Sequence, residues 1–281
     1  MKYRKAYEWG KTRLDIAGIK ENALDARLLL EFVCHTGAGD LYAHSERELT
    51  DDEQQRYENL IMLRAERKPL QHLTGYTEFM GLRFFVNSDV LIPRQDTEIL
   101  VEEAMIDVSD GDRVLDMCTG SGCVLLSLMR YKNDIKGVGA DISTEALKVA
   151  GKNYESLNGE ISGSAKFVES DMFEKVEGTF DVILANPPYI RTADIEGLED
   201  EVRCHDPAIA LDGGEDGLDF YRIIAEKAGA HLEPEGRLIM EIGFDQAQAV
   251  SGLLDENGFT DIRIIKDLAG LDRVVYARRE Q

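Results

Sequence analysis

From Gly111 onward the sequence alternates short apolar runs with amphipathic stretches, and this rhythm leaves few folds open. Arg113-Val114-Leu115-Asp116 reads as a buried strand and residues 123–129 as a helix. Gly137 to Asp141 reads as a second strand, followed by a helix over 143–157 that Ser143 caps. Further strands are expected at 165–168 and 180–185, then a helix near 218–230 and a strand at 237–242. A helix at 246–257 and two strands, 262–265 and 274–277, close the series. Alternation of this kind predicts an α/β fold, a doubly wound and mostly parallel sheet with helices on both faces. Ligands of such sheets bind at the carboxyl ends of the strands. Function is therefore expected in the loops that follow them.

The first such loop is Asp116-Met117-Cys118-Thr119-Gly120-Ser121-Gly122. Glycine without a Cβ lets a ligand approach the backbone closely. The loop lacks the lysine of a Walker motif, so a triphosphate cradle is not indicated. Asp141 ends the second strand about twenty residues on, the spacing of a carboxylate that accepts from ribose hydroxyls. Asp171, after the third strand, is placed to hold an adenine amino group, and Met172 to pack against the ring. The sharpest motif is Asn186-Pro187-Pro188-Tyr189, directly after the fourth strand. Two prolines fix the backbone, and Pro188 has no N–H to donate. The Asn186 side-chain oxygen and the Pro187 carbonyl are then two acceptors in fixed geometry, suited to the two hydrogens of a planar NH2 group. Tyr189 offers that plane an apolar face.

The first 75 residues carry no such loop. Leu14, Ala23, Ala26, Leu29, Leu30 and Val33 recur at helical spacing, and Thr50 with Glu53 forms a capping-box pattern. A small helical bundle is expected over 1–75, of the kind that recognises a substrate or partner. Residues 76–93, rich in Phe, Val, Leu and Ile with Gly81 and Asn87-Ser88-Asp89 as turns, read as a β-hairpin connector. Charge separates these regions. Residues 1–75 hold twelve Lys and Arg against thirteen Asp and Glu, whereas the remainder holds twenty against forty-one. So acidic a surface repels a phosphate backbone, and stable nucleic-acid binding is not expected. The absence of a long apolar run or a signal-like leader predicts a cytoplasmic protein without membrane association. Cys34, Cys118, Cys123 and Cys204 show no metal-ligand spacing, so free thiols and no metal site are expected.

Taken together, the loop 116–122, Asp141 and Asn186-Pro187-Pro188-Tyr189 resemble the class I methyltransferases with an Asn/Asp-Pro-Pro-Tyr motif. The chain is more similar still to the PrmC/HemK family, the glutamine N5-methyltransferases of peptide chain release factors. Leu91-Ile92-Pro93-Arg94-Gln95-Asp96-Thr97-Glu98 resembles that family's connector motif. Asp206-Pro207, Gly213-Gly214-Glu215-Asp216-Gly217-Leu218 and Lys266-Asp267-Leu268-Ala269-Gly270 resemble its later signatures. The resemblance implies a Rossmann-like methyltransferase domain over 94–281 that uses S-adenosyl-L-methionine, held by Asp116, Cys118, Thr119, Gly120, Ser121, Gly122, Asp141, Asp171, Met172 and Asn186. It implies Asn186, Pro187 and Tyr189 as catalytic, with Pro188 beside them on the substrate. It implies class 1 release factors as the protein substrate, methylated on the glutamine of their Gly-Gly-Gln motif. Rival readings are an N6-adenine or N2-guanine nucleic-acid methyltransferase and a non-catalytic cofactor-binding module. Cys118 stands where the family usually has glycine, and its backbone is expected to be ordinary, with only Gly120 and Gly122 serving close approach.

Overall fold

Thr50 caps a helix as its sequence requires. Its hydroxyl accepts from the Glu53 N–H, and the Glu53 carboxylate accepts from the Thr50 N–H, completing the box. The computed structural model describes residues 1–280. In chain order they form α1 (Tyr3–Ile16), α2 (Asn22–Cys34), α3 (Ala38–Ala43), α4 (Asp51–Ala65), α5 (Leu70–Thr74), β1 (Tyr76–Phe79), β2 (Leu82–Phe85) and α6 (Glu98–Asp107). Then come β3 (Arg113–Met117), α7 (Cys123–Tyr131), β4 (Ile135–Asp141), α8 (Thr144–Ser156), β5 (Gly163–Glu169) and β6 (Phe180–Ala185). The chain ends with α9 (Asp200–Arg203), α10 (Asp219–His231), β7 (Leu232–Glu241), α11 (Ala247–Glu256), β8 (Phe259–Lys266) and β9 (Asp272–Arg279). Contacts divide the chain into two units, Met1–Tyr76 with Glu199–His205, and Thr77–Leu198 with Asp206–Gln281.

The first unit packs α1, α2 and α4 around Leu14, Leu29, Leu30, Tyr57 and Ile61. Gly10 sits inside α1 because nothing larger fits: a Cβ there would lie 2.1 Å from the Tyr57 hydroxyl. Arg64 is buried in this unit and paired with Asp25 at 2.6 Å, while its second nitrogen reaches Glu201 at 2.8 Å. Segment 199–205 is thus held to the bundle by a charge that has little water around it.

In the second unit, alternate residues of each central strand pack on opposite faces of the sheet. Leu115, Met117, Ile183 and Ala185 face α10 and α11, meeting Tyr221, Ile224 and Val250. Val114, Val182 and Leu184 face the other way, with Leu100 and Val101 of α6 and Leu125 and Leu128 of α7. Phe79, Leu82 and Phe84 join that same cluster, so the hairpin expected as a connector contributes to the core of this unit. The strand order is β5-β4-β3-β6-β7-β9-β8. Strands β3 to β7 pair in parallel, and β9 is antiparallel to both β7 and β8. The antiparallel edge follows from the short turn between β8 and β9, which leaves no room for a crossover helix. Strand order reverses between β3 and β6, the switch point where a crevice opens. Met117 lies opposite Ala185 in the parallel register, so the loops beginning at Cys118 and Asn186 leave the sheet side by side.

Candidate functional site

The loop after β3 is shaped by its own backbone and by two carboxylates. Thr119 N–H donates to the Ala140 carbonyl at 3.0 Å, and Gly122 N–H to the Thr119 carbonyl at 2.8 Å. The Thr119 hydroxyl donates to Asp116 Oδ2 at 2.6 Å. Asp141 Oδ2 accepts from Gly120 N–H and its Oδ1 from Ser143 N–H, both at 2.9 Å. Gly120 has φ +53°, and a Cβ there would meet nothing within 4 Å, so open space lies over it. Gly122 has φ +79° and packs so closely on α8 that a Cβ would come within 3.2 Å of Ala150.

Cys118 departs from the sequence reading. Its φ is +59°, in the left-handed region, not the ordinary backbone expected. The position therefore favours glycine, and the cysteine carries strain of about 1–3 kcal/mol. The misreading has a physical cause: a strand end followed by a tight turn sets φ through the path of the chain, and a thiol leaves no mark of that path in the sequence. Burial pushes the Cys118 thiol well above its usual range, with the Asp141, Asp116 and Asp171 charges adding to the effect. Burial also pushes the Asp116 carboxyl up to about 7, against the hydrogen bond from Thr119. The Asp141 carboxyl is pushed up by burial too, opposed by the backbone N–H groups of Ser143, Gly120 and Ile142.

The loop after β6 is held by side chains from far away in the sequence. Asn186 Nδ2 donates to the Thr97 hydroxyl at 3.3 Å, which leaves Oδ1 as the outward acceptor of the amide. The Tyr189 hydroxyl donates to Glu241 Oε1 at 3.3 Å, and Gln246 Nε2 donates to the Tyr189 carbonyl at 3.0 Å. Ile190 N–H donates to the Leu211 carbonyl and Gly213 N–H to the Ile190 carbonyl, laying segment 211–217 along the motif. Gly213 is obligatory in that contact, since a Cβ would lie 2.7 Å from Tyr189 Cα. Glu241 is only 2% exposed. Burial pushes its carboxyl up, while the charge of Arg273 and the hydrogen bond from Tyr189 favour the ionised form.

A cavity of about 400 Å³ lies between these loops. Asp116, Cys118, Thr119, Gly120, Ser121, Asp141, Asp171, Met172, Asn186 and Pro188 line it. Gly122, Pro187 and Tyr189 lie outside that wall, Tyr189 being turned toward Glu241. Thr97 and Arg94 also line the cavity, and Arg94 pairs with Asp206. Sequence reasoning missed Thr97, Glu241 and Gln246 as parts of the site. A carboxylate ending the apolar run Leu238-Ile239-Met240 was the one signal that pointed to Glu241. Among the described residues no group of three or more His, Cys, Asp or Glu is arranged to hold a metal ion. No helix among them is long and apolar enough to cross a membrane.

Comparison with known proteins gives this geometry a family. Residues 5–75 match the PrmC N-terminal domain, and residues 94–199 match the methyltransferase small domain. A release factor glutamine methyltransferase of Agrobacterium fabrum is 40% identical over 275 residues, covering 96% of this chain and 94% of its own. The chain belongs to the release factor glutamine methyltransferase family. A further member, from Geobacter sulfurreducens, is 39% identical over 276 residues, covering 98% of this chain and 96% of its own. Release factor glutamine methyltransferases of this kind thus match the helical unit as well as the sheet. A methyltransferase structure from Pyrococcus furiosus shares the fold at 17% identity, with a TM-score of 0.55, covering 83% of this chain and 100% of that one.

Proposed function

We propose that this chain transfers a methyl group from S-adenosyl-L-methionine to the side-chain amide nitrogen of the glutamine in the Gly-Gly-Gln motif of class 1 peptide chain release factors. The observation that carries the reading is the orientation of Asn186. With Nδ2 engaged by Thr97, its Oδ1 is presented as an acceptor beside the cavity. An amide nitrogen is a weak nucleophile, because its lone pair is delocalised into the carbonyl. Asn186 Oδ1 and the Pro187 carbonyl would accept its two hydrogens and fix its plane. They would also stabilise the positive charge that develops on it. Once methylated, the nitrogen is cationic and acidic, so it loses its proton without a dedicated base.

The cavity fits the methyl donor in its chemistry. When bound, S-adenosyl-L-methionine supplies an electrophilic methyl on a sulfonium cation. Asp141 and Asp171 line the cavity beside Asp116 and complement positive charge. Asp141 would receive ribose hydroxyls, Asp171 the adenine amino group and Met172 the ring face. The open space over Gly120 admits a ligand to the backbone. The helical unit, which matches a domain of its own in this family, would recognise the release factor, and the reaction would run in the cytoplasm. Labelled-methyl transfer to purified release factor tests the reading, with arms for nucleic acid and for a release factor whose Gly-Gly-Gln glutamine is replaced. Label on the intact release factor alone is expected. Label on nucleic acid instead would give the site to an aromatic NH2 substrate.

A further inference from the structure

Pro187 and Pro188 have φ fixed by their rings, so the path from Asn186 to Tyr189 turns at little besides ψ. The two ends of that path are held differently. Ala185 stands in the sheet, opposite Met117 of β3 and Met240 of β7, which fixes the Asn186 end. The Tyr189 end lies past the last residue of β6, and one side chain closes on it. Gln246 Nε2 donates to the Tyr189 carbonyl at 3.0 Å and to the Gly217 carbonyl at 3.1 Å, and its Oε1 accepts from Gly243 N–H at 2.9 Å. This amide cannot turn over, because the two carbonyls only accept and the N–H only donates. Its base is equally fixed. The Gln246 carbonyl accepts from Val250 N–H at the start of α11, whose Ala247, Val250 and Leu254 are buried in the core. Gly217 makes room for the corner: a Cβ there would lie 2.4 Å from the Tyr189 carbonyl oxygen and 2.7 Å from Gln246 Nε2.

We infer that Gln246 is a positioning residue that sets the direction of the Pro187 carbonyl by holding the far end of the motif. With Asn186 and Tyr189 both fixed, the stiff Pro187-Pro188 link has one way to run between them, and the carbonyl it carries has one direction. Without the two donors of Gln246 the Tyr189 peptide is free to rotate, and the rotation passes along the prolines to the acceptor. Gln246 is 3% exposed and stands outside the cavity wall, so it acts through the motif and not by touching a ligand. The inference rests on the proposed amide methylation, since the second acceptor matters only to a nitrogen that carries two hydrogens.

The test compares Gln246→Glu and Gln246→Met with the wild type in the full-length chain. It reads kcat and KM for release factor, cofactor affinity by calorimetry and folding by circular dichroism. Gln246→Glu keeps the shape and the acceptor for Gly243 but loses both donors. It is expected to lower kcat roughly ten- to a hundredfold, the cost of one or two hydrogen bonds, with KM and cofactor affinity unchanged. Protonation of the introduced carboxyl returns one donor, and burial makes that protonation easier. The ratio of kcat to the wild-type value should therefore climb as pH falls from about 8 to about 5. Glu241, Asp245 with Arg191, and Asp216 and Asp219 with Arg222 are the charged groups near this corner; both proteins have them, so the ratio cancels their titration. Gln246→Met carries no titrating group and should show the kcat loss at every pH. It also keeps the test decisive where the buried charge of Gln246→Glu prevents folding. Wild-type kcat in either folded variant, a loss that falls on cofactor affinity in place of kcat, or equal recovery at low pH in both variants would overturn the inference. A wild-type enzyme that fails to label release factor would instead overturn the functional reading, and that control is run first.

Discussion

The loop after β3 takes its shape from backbone torsions. Cys118, Gly120 and Gly122 all have positive φ, and Asp116 and Asp141 tie the turn by bonds to residues within about one strand-helix unit. The loop after β6 leaves the same edge of the sheet, yet its shape comes from side chains. Thr97, Glu241 and Gln246 reach Asn186 and Tyr189 from elements far along the chain. The difference suits the two tasks. A bound nucleoside needs room and backbone N–H groups, which glycines provide. A reacting nitrogen needs acceptors of one fixed polarity, which requires side chains that are themselves held. Damage to the first loop should therefore weaken binding, and damage to the second should slow turnover.

The largest effect belongs to the second loop. Asn186→Ala should lower the rate of methyl transfer by about 10²–10³, the usual cost of losing one hydrogen bond made in the transition state. Circular dichroism and cofactor affinity should stay as in the wild type. Near-normal turnover in this folded variant would break the division of labour between the loops.

Asp141→Ala should show the opposite pattern. One charge-assisted hydrogen bond contributes roughly 1.5–3 kcal/mol, so cofactor affinity should fall about ten- to more than a hundredfold. Loss of the Gly120 and Ser143 anchors adds to this effect. At saturating cofactor kcat should largely recover. Unchanged affinity by calorimetry would remove Asp141 from the binding loop.

Asp116 sharpens the comparison through pH. Its native carboxyl, at about 7, lies above the value of about 3.9 for an exposed aspartate. Between those values the native state holds the proton more tightly than the unfolded chain. Stability from this group is therefore present at low pH and lost as pH rises through about 7. Asp116→Asn keeps an acceptor for Thr119 and removes the titration. Its Tm should gain on the wild type as pH rises from about 4 to about 7. A Tm difference that stays flat across that range would mean that the buried carboxylate is charged throughout.

The smallest effect is expected at Cys118. Glycine accepts φ +59° without strain but adds freedom to the unfolded chain that offsets much of the gain, so Cys118→Gly should stabilise the protein by about 1 kcal/mol and raise Tm slightly. Cofactor affinity should change little, because the loop already adopts the left-handed conformation. A lower Tm would show that packing of the thiol against the sheet outweighs the backbone strain.

Much of this could be read from the sequence because it depends on near neighbours. The alternation of strand and helix, the Thr50 capping box, the Ser143 cap and the placement of Asn186 after a strand all rest on periodicity or on contacts a few residues long. Such patterns are set by local sterics and by the burial of apolar residues on regular faces. Tertiary structure decided the rest. Insertion of β9 between β7 and β8 depends on which edge each strand reaches, and apolar spacing is the same for either order. The left-handed turn at Cys118 depends on where β3 ends, so no property of a cysteine announces it. The Thr97 hydroxyl that the Asn186 amide meets lies 89 residues away. Tyr189 is likewise held by Glu241, 52 residues away. Side-chain hydrogen bonds leave no period in a sequence, and only the packing of the sheet brings these partners within reach of one another.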